Sequence, residues 1–172
     1  MSTWVVKIKM TIDEEQLMEA RLAWGNGVIA ISKAYEELGI TEAKIIANDF
    51  LDDVYGFELG PVLFKPTLSG GTQTFRPSKD GALSYFVGHD PTYPSDSGFG
   101  IKSWYEVSSE TCAAFFDQDV AMWMGSVTLI SKNGHSITVD KSWGYKKVKN
   151  GALKIILHHS SLPYNLDLDS PA

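Results

Sequence analysis

The sequence predicts an α+β fold in which N-terminal helices pack on one face of a strongly curved antiparallel sheet. Apolar residues recur at helical spacing in the first third of the chain, and long strand-forming runs fill the last third. Asn133-Gly134 and Asn150-Gly151 separate those runs, and Asn-Gly between strands is a strong hairpin signal. Helices followed by antiparallel strands are typical of α+β domains. With 172 residues and 44% hydrophobic residues, we expect one domain spanning residues 1–172.

Two helices are predicted before residue 60. Thr11 and Glu14 have the spacing of a capping box at the start of the first helix. One face of this helix carries an apolar stripe: Leu17, Trp24, Val28, Ile31, Tyr35 and Leu38. Gly25 and Gly27 interrupt it, which predicts either close packing against a neighbour or a bend. A second helix is predicted from residue 41 to residue 56.

Short elements are predicted between these helices and the sheet. Val62–Phe64 forms a strand, and SGGTQTFRPS is interpreted as a turn, a strand and a helix cap. Ser78 is expected to cap a helix that runs through Val87. The glycine- and proline-rich segment GHDPTYPSDSGFG is predicted to be a loop.

Two-residue turns at both Asn-Gly pairs would fix the register of the C-terminal strands. Met124 would then pair with Trp143, Trp143 with His158, and Lys141 with Ser160. Because side chains alternate along a strand, one face is predicted to carry Met124, Ser126, Thr128, Val139, Trp143, Tyr145, Ile156, His158 and Ser160. The other is predicted to carry Trp123, Val127, Leu129, Leu153, Ile155, Leu157 and His159. The first face has hydroxyls and an imidazole at one end, as a pocket between helix and curved sheet would have; a bulge would reverse these assignments.

The composition disfavours several classes of partner. The net charge is −6, with 15 Lys and Arg against 21 Asp and Glu, which disfavours nucleic acid. No stretch is apolar enough for a membrane span. The start MSTWVVKIKM lacks the apolar region and cleavage site of a signal peptide, and the lone Cys112 excludes an internal disulfide. We therefore expect a cytoplasmic protein that binds neither nucleic acid nor membranes.

The segment LHHSSLPY admits three interpretations. A metal site is disfavoured, because adjacent His158 and His159 point to opposite faces of a strand. The other candidate ligands stand alone in the sequence: His89, Cys112 and His135. Ser160 lacks the GxSxG context of a hydrolase nucleophile. His158 and Ser160, two residues apart on one face, either line a pocket or form a polar strand end.

LHHSSLPY resembles the histidine-histidine-serine-serine signature of the iota-class carbonic anhydrases. The likeness extends over most of the chain, including VYGFELGPVLFKPTLSG, GALSYFVG and the two terminal hairpins. The resemblance implies the cone-shaped α+β fold of nuclear transport factor 2, which is close to the association domain of calmodulin-dependent kinase. It also implies reversible hydration of carbon dioxide to bicarbonate. The scarcity of metal ligands favours a metal-free member of the class, so we expect no metal and no cofactor.

The resemblance assigns roles to individual residues. Thr67 of KPT, Tyr85 of LSYF and Ser160 of HHSS match positions whose hydroxyls hold bicarbonate or the reacting water. His158 matches the histidine of the motif, and we expect it to accept or relay the proton because imidazole titrates near neutrality. Contacts to the substrate are expected from Thr67, Tyr85, Ser160, Phe86 and Trp143.

Two other functions stay open at this point. An isomerase or dehydratase on the same fold would need a carboxylate as general base, and Asp90 of the proline-rich loop is one candidate. A non-catalytic oligomerisation or ligand-binding domain is the other function, because fold does not imply function. Both sheet faces are apolar in the predicted register, so we expect a homodimer. The tail, residues 162–172, is acidic and expected to be partly disordered.

Overall fold

The computed structural model describes residues 11–164. Three helices and one five-stranded sheet follow in the order α1 (Glu14–Leu38), α2 (Ile40–Val54), β1 (Leu63–Lys65), α3 (Lys79–Val87), β2 (Trp104–Asp117), β3 (Val120–Ser131), β4 (Ser136–Lys147) and β5 (Leu153–Ser161). The strand order is β1-β5-β4-β3-β2. Neighbouring strands from β2 to β5 are antiparallel, but β1 runs parallel to β5. The predicted α+β arrangement is therefore confirmed, with a mixed rather than a purely antiparallel sheet.

The capping box of helix α1 lies two residues later than predicted. Asp13, in extended conformation, accepts a hydrogen bond from the backbone N–H of Gln16 at 3.0 Å. The Gln16 side chain accepts one from the Asp13 N–H at 3.4 Å. The capping box predicted at Thr11 and Glu14 is therefore wrong, because Glu14 is already helical and Thr11 lies before the cap.

The glycines inside α1 allow close packing against neighbouring elements, which is one of the two predicted alternatives. A Cβ on Gly27 would lie 2.1 Å from the Phe50 ring of α2. A Cβ on Gly25 would lie 3.1 Å from the Val107 side chain of β2. The helix continues unbroken through both positions, so the alternative of a bend is wrong.

The first C-terminal hairpin has a longer loop than predicted. The Ser131 N–H donates to the His135 carbonyl at 2.8 Å, and the intervening Gly134 has φ 82°. This three-residue loop pairs Trp123 with Trp143 and shifts β3 by one residue. The predicted positions of Met124, Ser126 and Thr128 are therefore wrong; they lie on the outer face of the sheet, where Met124 is 51% exposed. Trp123, Val127 and Leu129 instead lie on the inner face, which the helices cover.

The second hairpin recovers the predicted register through a bulge. Near the turn, Tyr145 pairs with Ile155, one residue away from the predicted Ile156. A bulge beside Gly144 then restores the pairing of Trp143 with His158. The face predicted to carry Trp143, His158 and Ser160 is therefore right for the part of the hairpin beyond the bulge. The prediction is wrong for Ile156, because Ile155 lies in the core at that position.

The shorter elements agree in part with the predictions. α3 begins at the predicted cap, where the Ser78 hydroxyl accepts from the Gly81 N–H at 3.3 Å. The strand predicted within SGGTQTFRPS is wrong; Gly71–Gln73 forms one 3-10 turn, and an irregular segment follows. Among the described residues, no helix is long and apolar enough to cross a membrane. Residues 165–172 of the tail lie outside the described range, so their predicted disorder stays a prediction.

Candidate active site

The parallel pairing of β1 with β5 places two sequence-predicted hydroxyls next to each other. Phe64 of β1 pairs with His158, so Thr67, just beyond the end of β1, arrives beside the end of β5. Thr67 Oγ1 and Ser160 Oγ share a hydrogen bond at 2.6 Å. Ser160 is fully buried, and His158 is nearly so, which makes these residues part of the interior. The interpretation of LHHSSLPY as a wet strand end is therefore wrong for these two residues.

Tyr85 of α3 is the third predicted hydroxyl, and it is buried without a hydrogen-bond partner among the described residues. Its ring stacks on Phe99 with centroids 5.4 Å apart and meets Phe64 edge-on at 5.7 Å. Burial raises the pKa of the Tyr85 phenol far above its usual value, although the nearby Leu68 backbone and Thr67 hydroxyl oppose the shift. Tyr85 is thus a neutral phenol whose O–H is available to a ligand.

His158 lies in a chain of buried hydrogen bonds. Its Nδ1 is 2.8 Å from the Tyr55 hydroxyl, which also accepts from Trp24 Nε1 at 2.9 Å. Its Nε2 is 2.9 Å from Lys141 Nζ. The imidazole stacks on the Phe64 ring at 4.6 Å between centroids. Burial and the charge of Lys141 hold the pKa of His158 well below its usual value, so the imidazole is neutral at physiological pH.

Lys141 of β4 was not predicted as a site residue. Its Nζ lies 3.1 Å from Ser160 Oγ, the atom that also contacts Thr67. It also lies 4.6 Å from the ring centroid of Trp24 and 5.5 Å from that of Trp143. No carboxylate among the described residues forms a salt bridge with it. Burial lowers the pKa of Lys141 to about 7.

The two predicted aromatic residues pack around the hydroxyls. Trp143 is buried beside His158, with ring centroids 5.5 Å apart, and its indole N–H has no partner among the described residues. Phe86 is fully buried, and its ring centroid lies 5.5 Å from that of Tyr85 and 6.3 Å from that of Phe64. These rings make the surroundings of the hydroxyls predominantly apolar.

A small cleft reaches Tyr85 from the loop before β2. Its volume of about 20 Å³ is enough for about one water, and it is lined by Leu68, Tyr85, Ser95, Asp96, Ser97, Gly98, Phe99 and Lys102. Two larger grooves, of about 570 and 430 Å³, lie on the outer face of the sheet. Neither of them is lined by Thr67, Tyr85, His158 or Ser160.

One buried carboxylate, Asp96, lines this cleft, and the sequence did not single it out. Arg76 binds both of its oxygens at 2.6 and 2.9 Å, and Ser84 donates to it at 2.7 Å. Asp90, the predicted candidate base, instead caps its own loop by accepting from the Thr92 N–H at 2.8 Å. Within residues 11–164, no three His, Cys, Asp or Glu side chains gather into a metal-binding group.

The chain matches the sequence model of the family described as metal-independent carbonic anhydrase over residues 15–162. The chain belongs to this family. A relative from Nostoc sp. (strain PCC 7120 / SAG 25.82 / UTEX 2576), the metal-independent carbonic anhydrase, is 45% identical over 157 residues, which cover 91% of this chain and 77% of the relative. The chain is accordingly a carbonic anhydrase, a carbonate dehydratase that interconverts carbon dioxide and bicarbonate without a metal.

Solved structures agree with this assignment. The iota-carbonic anhydrase from a cyanobacterium, complexed with bicarbonate, superposes with a TM-score of 0.91 at 44% identity, covering 96% of this chain and 99% of the other. A nuclear transport factor 2-like protein from Salmonella enterica has a TM-score of 0.51 at 13% identity, covering 92% and 96%, and shows the fold alone. The resemblance to iota-class carbonic anhydrases and the fold that it implied are confirmed, and the non-catalytic and isomerase or dehydratase hypotheses are set aside.

Proposed function

We propose that this carbonic anhydrase hydrates carbon dioxide at the hydroxyl cluster, defined as Thr67, Tyr85 and Ser160. The observation that carries the proposal is the 2.6 Å contact between Thr67 and Ser160, together with the buried phenol of Tyr85, which has no hydrogen-bond partner within residues 11–164. Tyr85 of α3 and Ser160 of β5 are buried, and Thr67, just beyond the end of β1, is half-buried. Packing alone does not require hydroxyls at these positions. The similar cyanobacterial enzyme, whose structure contains bicarbonate, supports bicarbonate as the ligand of such a site.

The hydroxyls orient the attacking water and stabilise the charge that develops on the carbon dioxide oxygens. Each hydroxyl both donates and accepts, so the bond between Thr67 and Ser160 exchanges for bonds to water or bicarbonate at little cost. Donors fixed in a dry interior interact strongly with developing charge, because they need no reorganisation. Phe86 and Trp143 supply an apolar lining that suits carbon dioxide and limits competing water.

His158 has a supporting role in this proposal. It was expected to accept or relay the proton, and its place between Tyr55 and Lys141 suits a relay or orienting group. Its low pKa disfavours a lasting imidazolium at neutral pH. The hydroxyl cluster has no base of its own, since alcohols and phenols do not ionise near neutrality.

Stopped-flow measurement of carbon dioxide hydration tests the proposal, with protein stripped by a chelator and checked for metal by mass spectrometry. We expect the stripped protein to stay active, and Thr67→Val, Tyr85→Phe and Ser160→Ala each to lower kcat/KM by about 10²–10³-fold, the effect of losing one oxyanion donor. Thr128→Val is the matched control, because the Thr128 and Thr138 hydroxyls share a 2.9 Å hydrogen bond on the exposed face.

Two results would reject the hydroxyl mechanism. One is full activity in all three cluster variants, which would place the reaction elsewhere. The other is activity that disappears on chelation and returns with zinc or manganese.

We also propose that the enzyme is a homodimer that associates through the outer face of the sheet. This face exposes large apolar side chains next to the groove of about 430 Å³: Leu63, Phe115, Met122 and Met124. Apolar patches of this kind are typical of protein interfaces. Light scattering is expected to give twice the mass of the chain, and Met122→Asp is expected to give monomers; a monomeric wild-type protein would contradict the proposal.

A cytoplasmic location is the remaining part of the proposal. Its support is the single cysteine, Cys112, which is exposed and has no disulfide partner in the sequence. Fractionation of cells that express the native gene is the test, and recovery in the periplasmic or extracellular fraction would contradict it.

A further inference from the structure

Lys141 is a buried amine that joins the hydroxyl cluster to the hydrogen-bond chain of His158. We propose that Lys141 is the proton acceptor of the hydration reaction and takes the proton of the attacking water through Ser160. The proposal rests on the hydroxyl cluster being the place of reaction. It supplies the base that the three hydroxyls lack.

The contacts of Nζ suit an amine that gains and loses a proton. Ser160 Oγ lies 3.1 Å from it, and the same Oγ lies 2.6 Å from Thr67. A proton released at the cluster therefore has a path of hydrogen-bonded atoms to Nζ. His158 Nε2 lies 2.9 Å from Nζ, and the centroids of the Trp24 and Trp143 rings lie at 4.6 and 5.5 Å.

His158 holds the amine in place in both of its protonation states. We assign to the imidazole the tautomer with hydrogen on Nδ1, which donates to the Tyr55 oxygen at 2.8 Å. Nε2 then accepts an N–H of Lys141 whether Nζ is an amine or an ammonium. In the amine, the lone pair is left free to face Ser160. His158 is thus a positioning residue for Lys141.

The step balances without any further reactant. The water oxygen forms a bond to the carbon of carbon dioxide, and one water proton passes to Ser160 Oγ. The hydroxyl proton of Ser160 passes at the same time to Nζ, so that water and carbon dioxide become bicarbonate while the amine becomes an ammonium. Nothing is oxidised or reduced. After bicarbonate leaves, the ammonium returns its proton through Ser160 to solvent water.

The surroundings allow Nζ to lose its proton near physiological pH. Burial lowers the pKa of Lys141 to about 7, where a base is half deprotonated and still strong enough to accept a proton. The elements packed around Lys141 carry other titratable or charged groups: Arg21, Tyr55, Lys65, Tyr85, His158 and His159. Arg21 lies over the Trp123 ring, and Lys65 donates to the Ser160 carbonyl at 2.9 Å. His159 lies on the opposite face of the sheet. No described carboxylate stabilises the ammonium.

A fixed cation that only attracts bicarbonate is the competing role for Lys141, and the pH dependence separates the two. A base acts when deprotonated, so the hydration rate rises as pH increases through the pKa of Lys141. A fixed cation acts when protonated, so the rate falls over the same range. Arginine distinguishes the roles too, because a guanidinium keeps its charge and does not serve as a base.

The experiment measures kcat/KM for hydration between pH 5.5 and 9 with chelator-treated protein. For the wild type we expect a rise with a midpoint near the Lys141 pKa of about 7 and a plateau above it. Lys141→Met and Lys141→Arg are each expected to lower the plateau by about 10²–10⁴-fold, the usual contribution of a general base, and to abolish the rise.

Lys147→Met is the matched control, because Lys147 is also buried on β4 but binds the Thr11 carbonyl and Gln16 at 3.2 and 2.9 Å. It is expected to keep the wild-type profile. Circular dichroism establishes that each variant is folded, and Lys141→Gln replaces any variant that is not.

Three outcomes overturn the inference: an active Lys141→Arg enzyme, a wild-type rate that falls with pH, or an unchanged profile in Lys141→Met. Failure of the underlying proposal is distinct from these. If Thr67→Val and Ser160→Ala are fully active, the hydroxyl cluster is not the site. If those two variants are inactive and Lys141→Arg is active, only the assignment of the proton acceptor is wrong.

Discussion

Arg76 and Lys141 are basic side chains buried to nearly the same degree, 2% and 3% exposed, in very different surroundings. The Arg76 guanidinium donates to both oxygens of Asp96, to the Gln73 and Gly81 carbonyls, and lies over the Tyr93 ring at 4.5 Å. Lys141 faces an imidazole, a hydroxyl and two indole rings. Arg76 therefore has a counter-charge, and Lys141 has none among the described residues.

The difference follows from what each side chain can do when it loses water. A guanidinium stays charged, so a buried arginine needs an anion and hydrogen-bond acceptors. Asp96 supplies both, and Ser84 ties the pair to α3. A buried lysine avoids the cost of desolvation by releasing its proton. The Arg76–Asp96 pair therefore fastens the loop before β2, whereas Lys141 is a titratable amine beside the hydroxyl cluster.

The largest expected effect on stability comes from breaking the compensated pair. Arg76→Met leaves Asp96 buried without its partner, which destabilises proteins by about 3–5 kcal/mol. Urea denaturation at pH 7 measures the change. The double variant with Asp96→Leu is the control and is expected to recover most of the lost stability; a loss below about 1 kcal/mol in the single variant would show that the pair contributes little.

A pH-dependent effect, smaller than this over any one or two pH units, is expected from the amine of Lys141. The pKa of Lys141 is about 7 in the folded protein against 10.5 as the ordinary value, so between these limits the unfolded chain binds one more proton. Stability due to this group is fully present above the upper limit, is lost as pH falls through the window at about 1.4 kcal/mol per unit, and is constant below it.

The difference in unfolding free energy between the wild type and Lys141→Met isolates this contribution, because other groups titrate in both proteins. We expect the difference to rise in favour of the wild type from about pH 7 upward. A difference that does not change with pH would mean that Lys141 has the same pKa in the folded and unfolded states.

The smallest effect on stability is expected from breaking a solvent-exposed salt bridge. Lys79 and Asp52 form a 2.5 Å salt bridge with 28% and 58% of their side chains exposed. Exposed pairs contribute about 0–1 kcal/mol, so Lys79→Ala should change the urea midpoint only slightly. A loss as large as that of Arg76→Met would contradict the view that burial decides the contribution of these cations.

The sequence predicted most of the fold because periodic patterns and Asn-Gly turns are local signals. It did not predict the register of β3, because Asn-Gly marks a turn but does not determine whether its loop has two or three residues. The second hairpin has the same one-residue difference near its turn, but the bulge beside Gly144 restores the predicted pairing of Trp143 with His158. The parallel pairing of β1 was invisible because it joins segments more than 90 residues apart, as the contact between Thr67 and Ser160 does.

The sequence predicted the site residues that belong to recognisable motifs. KPT, LSYF and HHSS indicated Thr67, Tyr85 and Ser160, whose roles stay predictions until variants are measured. Lys141 had a usable signal, because the predicted register paired it with Ser160 and placed a lysine within an apolar alternation. No sequence signal indicated the pairing of Arg76 with Asp96, because the two residues are 20 positions apart with a helix and irregular chain between them.

The central claim is that Lys141 is a neutral amine in the working enzyme, and its protonation is directly measurable. NMR spectroscopy of the protein labelled with ¹⁵N-lysine follows the Nζ signal as pH changes, with Lys141→Met to assign it. We expect the Nζ signal of Lys141 to titrate with a midpoint near pH 7. An ammonium signal that persists to the ordinary lysine range, about pH 10, would contradict it.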